Sequence, residues 1–299
     1  MTKNGINNNK IIGVVINSRK QQAVEMGRDI YNWGKEQCVN ILFKNDDAAV
    51  LDVEGVNDNE WLNNTEAAIV IGGDGTFLSA SRYVLDYDIP LYGINLGHLG
   101  FLTYGKPECV FDDIGRILNG NFTIFERPTL YGNVIRDGNS VHSFHALNEF
   151  VLAEGVVAKL LRVDVYFNKR KLGRLSTDGV ILASPTGSTA YSLSAGGPIV
   201  PPHIACMIFV PICAHTLYAR PIIAGAQDEI SLAPRSCSRD IVLSYDGKLA
   251  CGILPNDMIT VSLSTSKTIK SIQMNDRSFL DLIHEKLGWG QSFMEEEKE

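Results

Sequence analysis

The sequence has no apolar stretch long enough to cross a membrane. Its longest nearly apolar run, Ile204 to Ala214, is eleven residues broken by Pro211, against the ~20 that a spanning helix needs. The polar, asparagine-rich N-terminus carries no apolar core before a cleavage site, so a secretory leader is not expected. The six cysteines, at 38, 109, 206, 213, 237 and 251, form no CxxC pair. They argue against a zinc site or disulfide framework and for buried thiols in a reducing, cytoplasmic compartment. Basic residues are outnumbered, 27 Lys and Arg to 34 Asp and Glu, giving a net charge of −7. Broad attraction to nucleic acid or an anionic membrane is therefore not expected. An anionic small molecule would need backbone amides, a few placed cations or a metal ion to offset that charge.

What is present is ordinary globular composition over 299 residues, 45% apolar and 20% charged. That length suggests two domains and excludes a disordered or low-complexity chain. The first third alternates strand and helix signals. Ile11 to Ile16 is an apolar, β-branched run suited to a strand buried on both faces. Ala23, Met26, Ile30 and Trp33 then recur at helical spacing. Strands are expected at Val39–Phe43, Ala67–Ile71 and Ile89–Ile94, and helices at Thr76–Leu85 and Pro107–Leu118. This alternation predicts a parallel sheet in an α/β N-terminal domain, residues 1–122.

Beyond residue 122 the period changes. Leu161, Val163, Val165 and Phe167 alternate with polar neighbours, as in a half-buried strand. Further strands are expected at Leu130–Ile135, Ala146–Ala153, Val180–Ala183, Ile241–Ser244 and Ile259–Leu263, making 123–275 a mostly β domain. Phe279, Leu282, Ile283 and Leu287 mark a C-terminal helix within 276–299, free to pack on either domain.

Four segments could carry chemistry. Gly72-Gly73-Asp74-Gly75-Thr76 lies where a parallel strand ends and a helix begins, the edge where open α/β sheets bind ligands. Gly72, Gly73, Gly75 and Thr76 form a candidate phosphate loop, because glycines let backbone N–H groups approach an anion and the helix N-terminus favours negative charge. The alternative is a tight turn in which Asp74 caps the helix. The segment lacks GxGxxG spacing, and GxxxxGK followed by Ser or Thr occurs nowhere, which disfavours a Rossmann dehydrogenase and a P-loop NTPase. Gly93 to Leu102 is a second glycine-rich loop, with Asn95 and His98 as its polar members. Asn148-Glu149 interrupts an apolar strand pattern, either as an acceptor pair for sugar hydroxyls or as a water-exposed edge. Ser176 to Pro198 combines hydroxyls, small residues and Tyr191, a ring able to stack on a base.

Together these segments resemble the NAD kinase family, through GGDGT at 72–76, GINLGHLGFL at 93–102, NE at 148–149 and TDGVILASPTGSTAYSLSAGGP at 177–198. His215 to Pro221 and Lys286 to Trp289 are also similar to it. GGDxT segments occur in lipid kinases and phosphofructokinases too, whereas the hydroxyl-rich stretch is specific. The resemblance implies transfer of the γ-phosphoryl of ATP to the 2′-hydroxyl of the adenosine ribose of NAD, giving NADP. It further implies a site in a cleft between an α/β and a β-rich domain, a divalent metal such as magnesium, and a homo-oligomer, dimer or tetramer. No metal ligand is assigned.

By motif, Asp74 is the candidate proton acceptor. Asp74, Gly75, Asn148, Glu149, Lys159, Asp178, Thr189, Ala190, Tyr191, Ser192, Leu193 and Ser194 are the candidate dinucleotide contacts. Two positions depart from the family: Lys248 stands where many relatives have glutamine and is a candidate phosphate contact, and Tyr218 replaces a small serine. The rival readings are a lipid or sugar kinase sharing the GGDxT turn and a non-catalytic dinucleotide sensor.

Overall fold

The computed structural model describes residues 10–97, 99–155, 160–235, 240–274 and 278–288. The chain forms two compact units, Met1–Glu126 with Lys270–Glu299, and Arg127–Ile269.

Unit 1 contains β1 (Ile11–Ile16), α1 (Gln21–Gln37), β2 (Asn40–Phe43), α2 (Asn45–Leu51), α3 (Asp58–Asn64), β3 (Ala67–Gly72), α4 (Asp74–Val84), β4 (Leu91–Asn95) and α5 (Val110–Leu118). The strands pair in parallel in the order β2-β1-β3-β4. All six residues of β3 are buried, as its unbroken Ala, Ile and Val run requires of a strand covered on both faces. Helix α1 buries Ala23, Val24, Gly27, Ile30 and Gly34, which leaves Met26 and Trp33 on the margin of the expected face. Helices α2 and α3 lie in a stretch to which the sequence pattern assigned no element. The local signal for α3 is Asn57, whose side chain accepts from the Glu60 N–H before the buried Trp61. Helix α4 starts at Asp74, two residues before the expected Thr76. The expected helix from Pro107 begins as a 3₁₀ turn, Pro107–Cys109, and turns α-helical at Val110.

Unit 2 is built from strands: β5 (Thr123–Arg136), β6 (Asn139–Ala146), β7 (Glu149–Glu154), β8 (Leu161–Phe167), β9 (Arg170–Thr177) and β10 (Gly179–Ala183). After a 3₁₀ turn at Thr186–Thr189 and the short helix α6 (Tyr191–Ser194) come β11 (Cys206–Ile212), β12 (Ile222–Gly225), β13 (Glu229–Pro234), β14 (Ile241–Tyr245), β15 (Lys248–Gly252) and β16 (Met258–Gln273). An antiparallel sheet runs β12-β11-β10-β7-β14-β15, and a second layer contains β16-β13-β8-β9. One core joins Phe150, Leu152, Val163, Val165, Leu182, Phe209, Leu243 and Val261. The opposite face of β10 and β11, carrying Ile181, Ala183, Ile208 and Val210, packs with Val200.

The last helix, α7 (Phe279–Leu287), opens with a Ser278–Asp281 capping box and belongs to unit 1, where Leu282 and Ile283 are buried. The unit boundaries fall at Glu126/Arg127 and Ile269/Lys270, whereas the change of sequence period placed them after 122 and 275. Strands β5 and β16 run unbroken through both boundaries, so no turn or loop marks them. Among the described residues no helix is long and apolar enough to cross a membrane.

A buried charge fixes one side of unit 2. Asp164 is fully buried on β8 and binds Arg174 Nε at 2.7 Å, Arg235 Nε at 2.8 Å and Lys171 Nζ at 3.1 Å. The Arg174 hydrogen bond, more than offsetting burial with help from Arg235 and Lys171, holds its carboxyl well below the usual range. A depressed folded value contributes stability that is complete above the unfolded carboxyl value near pH ~4 and is lost as pH falls through the folded one. Asp164→Asn should therefore lower the thermal midpoint by several degrees at pH 7, with the gap to wild type narrowing below about pH 4. Thermal melts across pH 2–8 check this, and a gap independent of pH refutes it.

Candidate active site

The turn after β3 does not use Asp74 as a cap. Gly73 is the N-cap, in extended conformation, and no side chain caps α4. The Asp74 carboxylate instead reaches the glycine-rich loop after β4. Oδ2 accepts from the Phe101 N–H at 2.8 Å, and Oδ1 from the Leu102 N–H at 3.0 Å and the Thr103 hydroxyl at 3.1 Å. A carboxylate offers about four acceptor positions, so three donors fix the group and, among the described residues, leave one position without a hydrogen bond. The side chain is 31% exposed, so that position is accessible. Lys286 of α7 places Nζ 3.8 Å from Oδ2 and 4.3 Å from the Phe101 ring centroid.

The glycines of this turn divide into two kinds. A Cβ on Gly72 would lie 2.4 Å from Thr76 Oγ1, so that glycine permits internal packing. A Cβ on Gly73 or Gly75 would meet nothing within 4 Å, which leaves their backbone open at the N-terminus of α4. Beside them, Lys20 in the loop after β1 donates to the Leu96 carbonyl at 3.4 Å. Loops following β1, β3 and β4 thus gather at the carboxyl edge of the parallel sheet, where its strand order reverses. His98 lies outside the described residues.

Unit 2 brings the other two segments together. Asn148 and Glu149 are 8% and 6% exposed, which rules out the water-exposed edge reading. The expected strand Ala146–Ala153 is broken between β6 and β7, and Asn148 sits at the break. The break packs against the hydroxyl-rich segment. Ser184 donates its N–H to the Asn148 carbonyl and its hydroxyl to the Leu147 carbonyl. A Cβ on Gly187 would lie 2.2 Å from the Asn148 carbonyl oxygen, so only glycine lets these two backbones touch. Ser188 and Ser192 are buried, Thr189, Ala190 and Leu193 half-buried, and Tyr191 and Ser194 exposed.

Glu149 is an unusual buried acid. Burial first, and the charge of Asp246 second, push its carboxyl up to about 7, against a lowering hydrogen bond from the Tyr191 backbone. Among the described residues its Oε2 has no hydrogen-bond partner. A buried acceptor without a partner is costly, and a ligand hydroxyl would satisfy it.

Asp178 is exposed between β9 and β10, its N–H bonded to the Ile212 carbonyl. The neighbouring His215 donates its N–H to the Ser176 carbonyl. Tyr218 is 89% exposed. Lys248 is exposed at the start of β15, after the turn residues Asp246 and Gly247, both with positive φ. Lys159 lies outside the described residues. Sequence reading assigned no role to Gly100, Ser184, Gly187, Asp246 or Lys286. Gly100, Ser184, Gly187 and Lys286 lie in quoted motifs, but their work depends on contacts that spacing does not reveal.

Among the described residues no group of three or more His, Cys, Asp or Glu side chains is placed to hold a metal ion. Asp74 is already committed to three donors. These residues do not fit a resident metal cage.

Comparison with known proteins accounts for both units. Residues 12–122 match the ATP-NAD kinase N-terminal domain and residues 147–274 the ATP-NAD kinase C-terminal domain. The NAD kinase of Moorella thermoacetica is 37% identical over 288 residues, 96% of this chain and 92% of that one. That of Caldanaerobacter subterraneus is 36% identical over 284 residues, 93% and 99% of the two chains. Among solved structures, yeast NADH kinase complexed with NADH superposes with a TM-score of 0.87 at 27% identity, covering 95% of this chain and 89% of that one. An Archaeoglobus fulgidus NAD kinase in complex with ATP, at TM-score 0.72 and 23% identity over 93% and 99%, shares the fold. Sequence similarity across both units, and the fold it accompanies, make this chain a member of the NAD kinase family.

Proposed function

We propose that this chain transfers the γ-phosphoryl group of ATP to the 2′-hydroxyl of the adenosine ribose of NAD, forming NADP and ADP. The observation that carries the reading is the Asp74 carboxylate, held by three donors with one acceptor position open, beside a glycine turn whose backbone is unobstructed. The ribose oxygen attacks the γ-phosphorus, the bond to the β–γ bridging oxygen breaks, ADP leaves, and the hydroxyl proton passes to Asp74. Phosphoryl transfer asks mainly for positioning and charge stabilisation, which a rigidly mounted base and open backbone amides supply.

The remaining roles follow the chemistry of each group. Gly73, Gly75 and the start of α4 face the triphosphate, with Gly72 and Thr76 shaping the turn. Asn148 and Glu149 accept hydroxyl hydrogens of the dinucleotide, while Thr189, Ala190, Tyr191, Ser192, Leu193 and Ser194 line its path, joined by Asp178 and Lys159. Lys248 offers a cation to a phosphate. Magnesium enters bound to ATP, as part of the substrate, and neutralises the polyphosphate in an acidic protein. Of the described cysteines only Cys206 is buried, Cys38, Cys109 and Cys213 being exposed, so the expected buried thiols are not found. All five are free, as suits a reducing cytoplasm, and the enzyme assembles there as a dimer or tetramer.

A coupled assay with NAD and ATP, with and without EDTA, tests this. NADP should form only when free divalent metal is present. NAD binding without ATP consumption would make the chain a sensor, and phosphorylation of a sugar or lipid in place of NAD would make it another kinase.

A further inference from the structure

Every backbone polar group of residues 147–149 is accounted for by two residues. The N–H groups of Leu147, Asn148 and Glu149 all donate to the Asp246 carboxylate, at 3.0, 2.7 and 3.3 Å. Asp246 returns its own N–H to the Glu149 carbonyl at 3.1 Å, and Ser184 holds the other two carbonyls. Three successive N–H groups converging on one point form an anion nest, and a carboxylate fills it with charge-assisted bonds. Asp246 is 7% exposed and adopts φ 45°, a left-handed conformation that aspartate tolerates better than most residues. Asp246 is thus oriented by the β14–β15 turn towards a strand break 98 residues earlier in the chain.

We infer that Asp246 is the positioning residue of the dinucleotide site: by clamping the main chain of 147–149 it sets where the Asn148 and Glu149 side chains point. The role rests on the reading that this pair accepts the dinucleotide's hydroxyls. Hydrogen bonding of a ligand depends on acceptors fixed in place before it arrives. Asp246 also acts on Glu149 through space, since its negative charge is the one that opposes ionisation of Glu149, while the Tyr191 N–H favours it. An ionised Glu149 accepts ligand hydroxyls, so affinity for NAD falls as pH drops through the Glu149 titration. Removing the Asp246 charge moves that fall to lower pH.

Two variants test this with the intact chain. Asp246→Asn should raise KM for NAD about tenfold or more, leave KM for ATP within about twofold, and shift the acid limb of the kcat/KM profile for NAD to lower pH. Ser184→Ala should raise KM for NAD without moving that limb, because it removes the hydroxyl's clamp bond to the Leu147 carbonyl and no charge, the backbone bond to Asn148 remaining. Thermal melts confirm that each variant is folded. A folded Asp246→Asn with wild-type KM for NAD, an equal rise in both KM values, or an unmoved acid limb overturns the role. If Asp246→Asn fails to fold, an unchanged KM for NAD in Ser184→Ala does so. Failure of the underlying reading looks different: Glu149→Ala, which removes the acceptor oxygens, would then leave KM for NAD unchanged, and this role falls with it.

Discussion

Asp74→Asn is expected to bind NAD with near-normal affinity and to lose about 10²–10⁴-fold in turnover, the usual contribution of a positioned general base. The substitution preserves size and start of helix, so α4 should be undisturbed. An asparagine can still offer one oxygen to the Leu102 N–H and the Thr103 hydroxyl, which Asp74 Oδ1 serves now. Its amide NH₂ then meets the Phe101 N–H, donor against donor, where Oδ2 accepted at 2.8 Å. One lost bond at a partly buried site lowers the thermal midpoint by a few degrees at most. The chemical consequence is far larger, because the amide cannot take the hydroxyl proton. Single-turnover rates and equilibrium NAD binding separate the two effects. Turnover near wild type would dispose of Asp74 as the base. Loss of NAD binding along with turnover would make it an organiser of the 101–103 loop.

The sequence made the strands of unit 1 legible because β1 and β3 are apolar runs rich in β-branched residues and buried on both faces. It hid α2 and α3, seven residues each, because Asn and Asp open α2 and make up most of α3, and read as turn formers. The expected strand from Ala146 to Ala153 shows how an apolar pattern misleads. Its residues suit a strand throughout, and the break at Asn148 is where Asp246 gathers three successive N–H groups, a contact local periodicity cannot see. Strand β11 was visible only as an apolar run, since a short buried strand and a buried helix segment share that signature.

The site shows the same division. Glycines around one carboxylate at a strand end marked Asp74 as chemically interesting, and the hydroxyl-rich run marked its own segment. What holds Asp74 was not legible. Its donors lie 27 to 29 residues on, in a different loop. Lys286 comes from the last helix. A turn can be read from its own residues, but the orientation of its side chain belongs to whatever packs against it.

Gly100→Ala probes that orientation without touching the carboxylate's chemistry. A Cβ at Gly100 would lie 2.0 Å from Asp74 Oδ1 and 2.4 Å from Thr103 Oγ1. Both atoms end side chains able to rotate, so the chain should accommodate the methyl by swinging the Asp74 carboxylate away from its three donors. Stability then falls modestly, while the base leaves its place. A displacement of about 1 Å can cost on the order of 10²-fold in rate, and that loss of turnover is expected here, with NAD binding largely kept. The decisive measurement is the double variant. If the methyl acts by moving Asp74, adding Gly100→Ala to Asp74→Asn should cost little more than Asp74→Asn alone, because contacting residues that work as one unit are not additive. Two losses that multiply would show that Gly100 acts elsewhere in the loop, and that the position of Asp74 is not what the glycine protects.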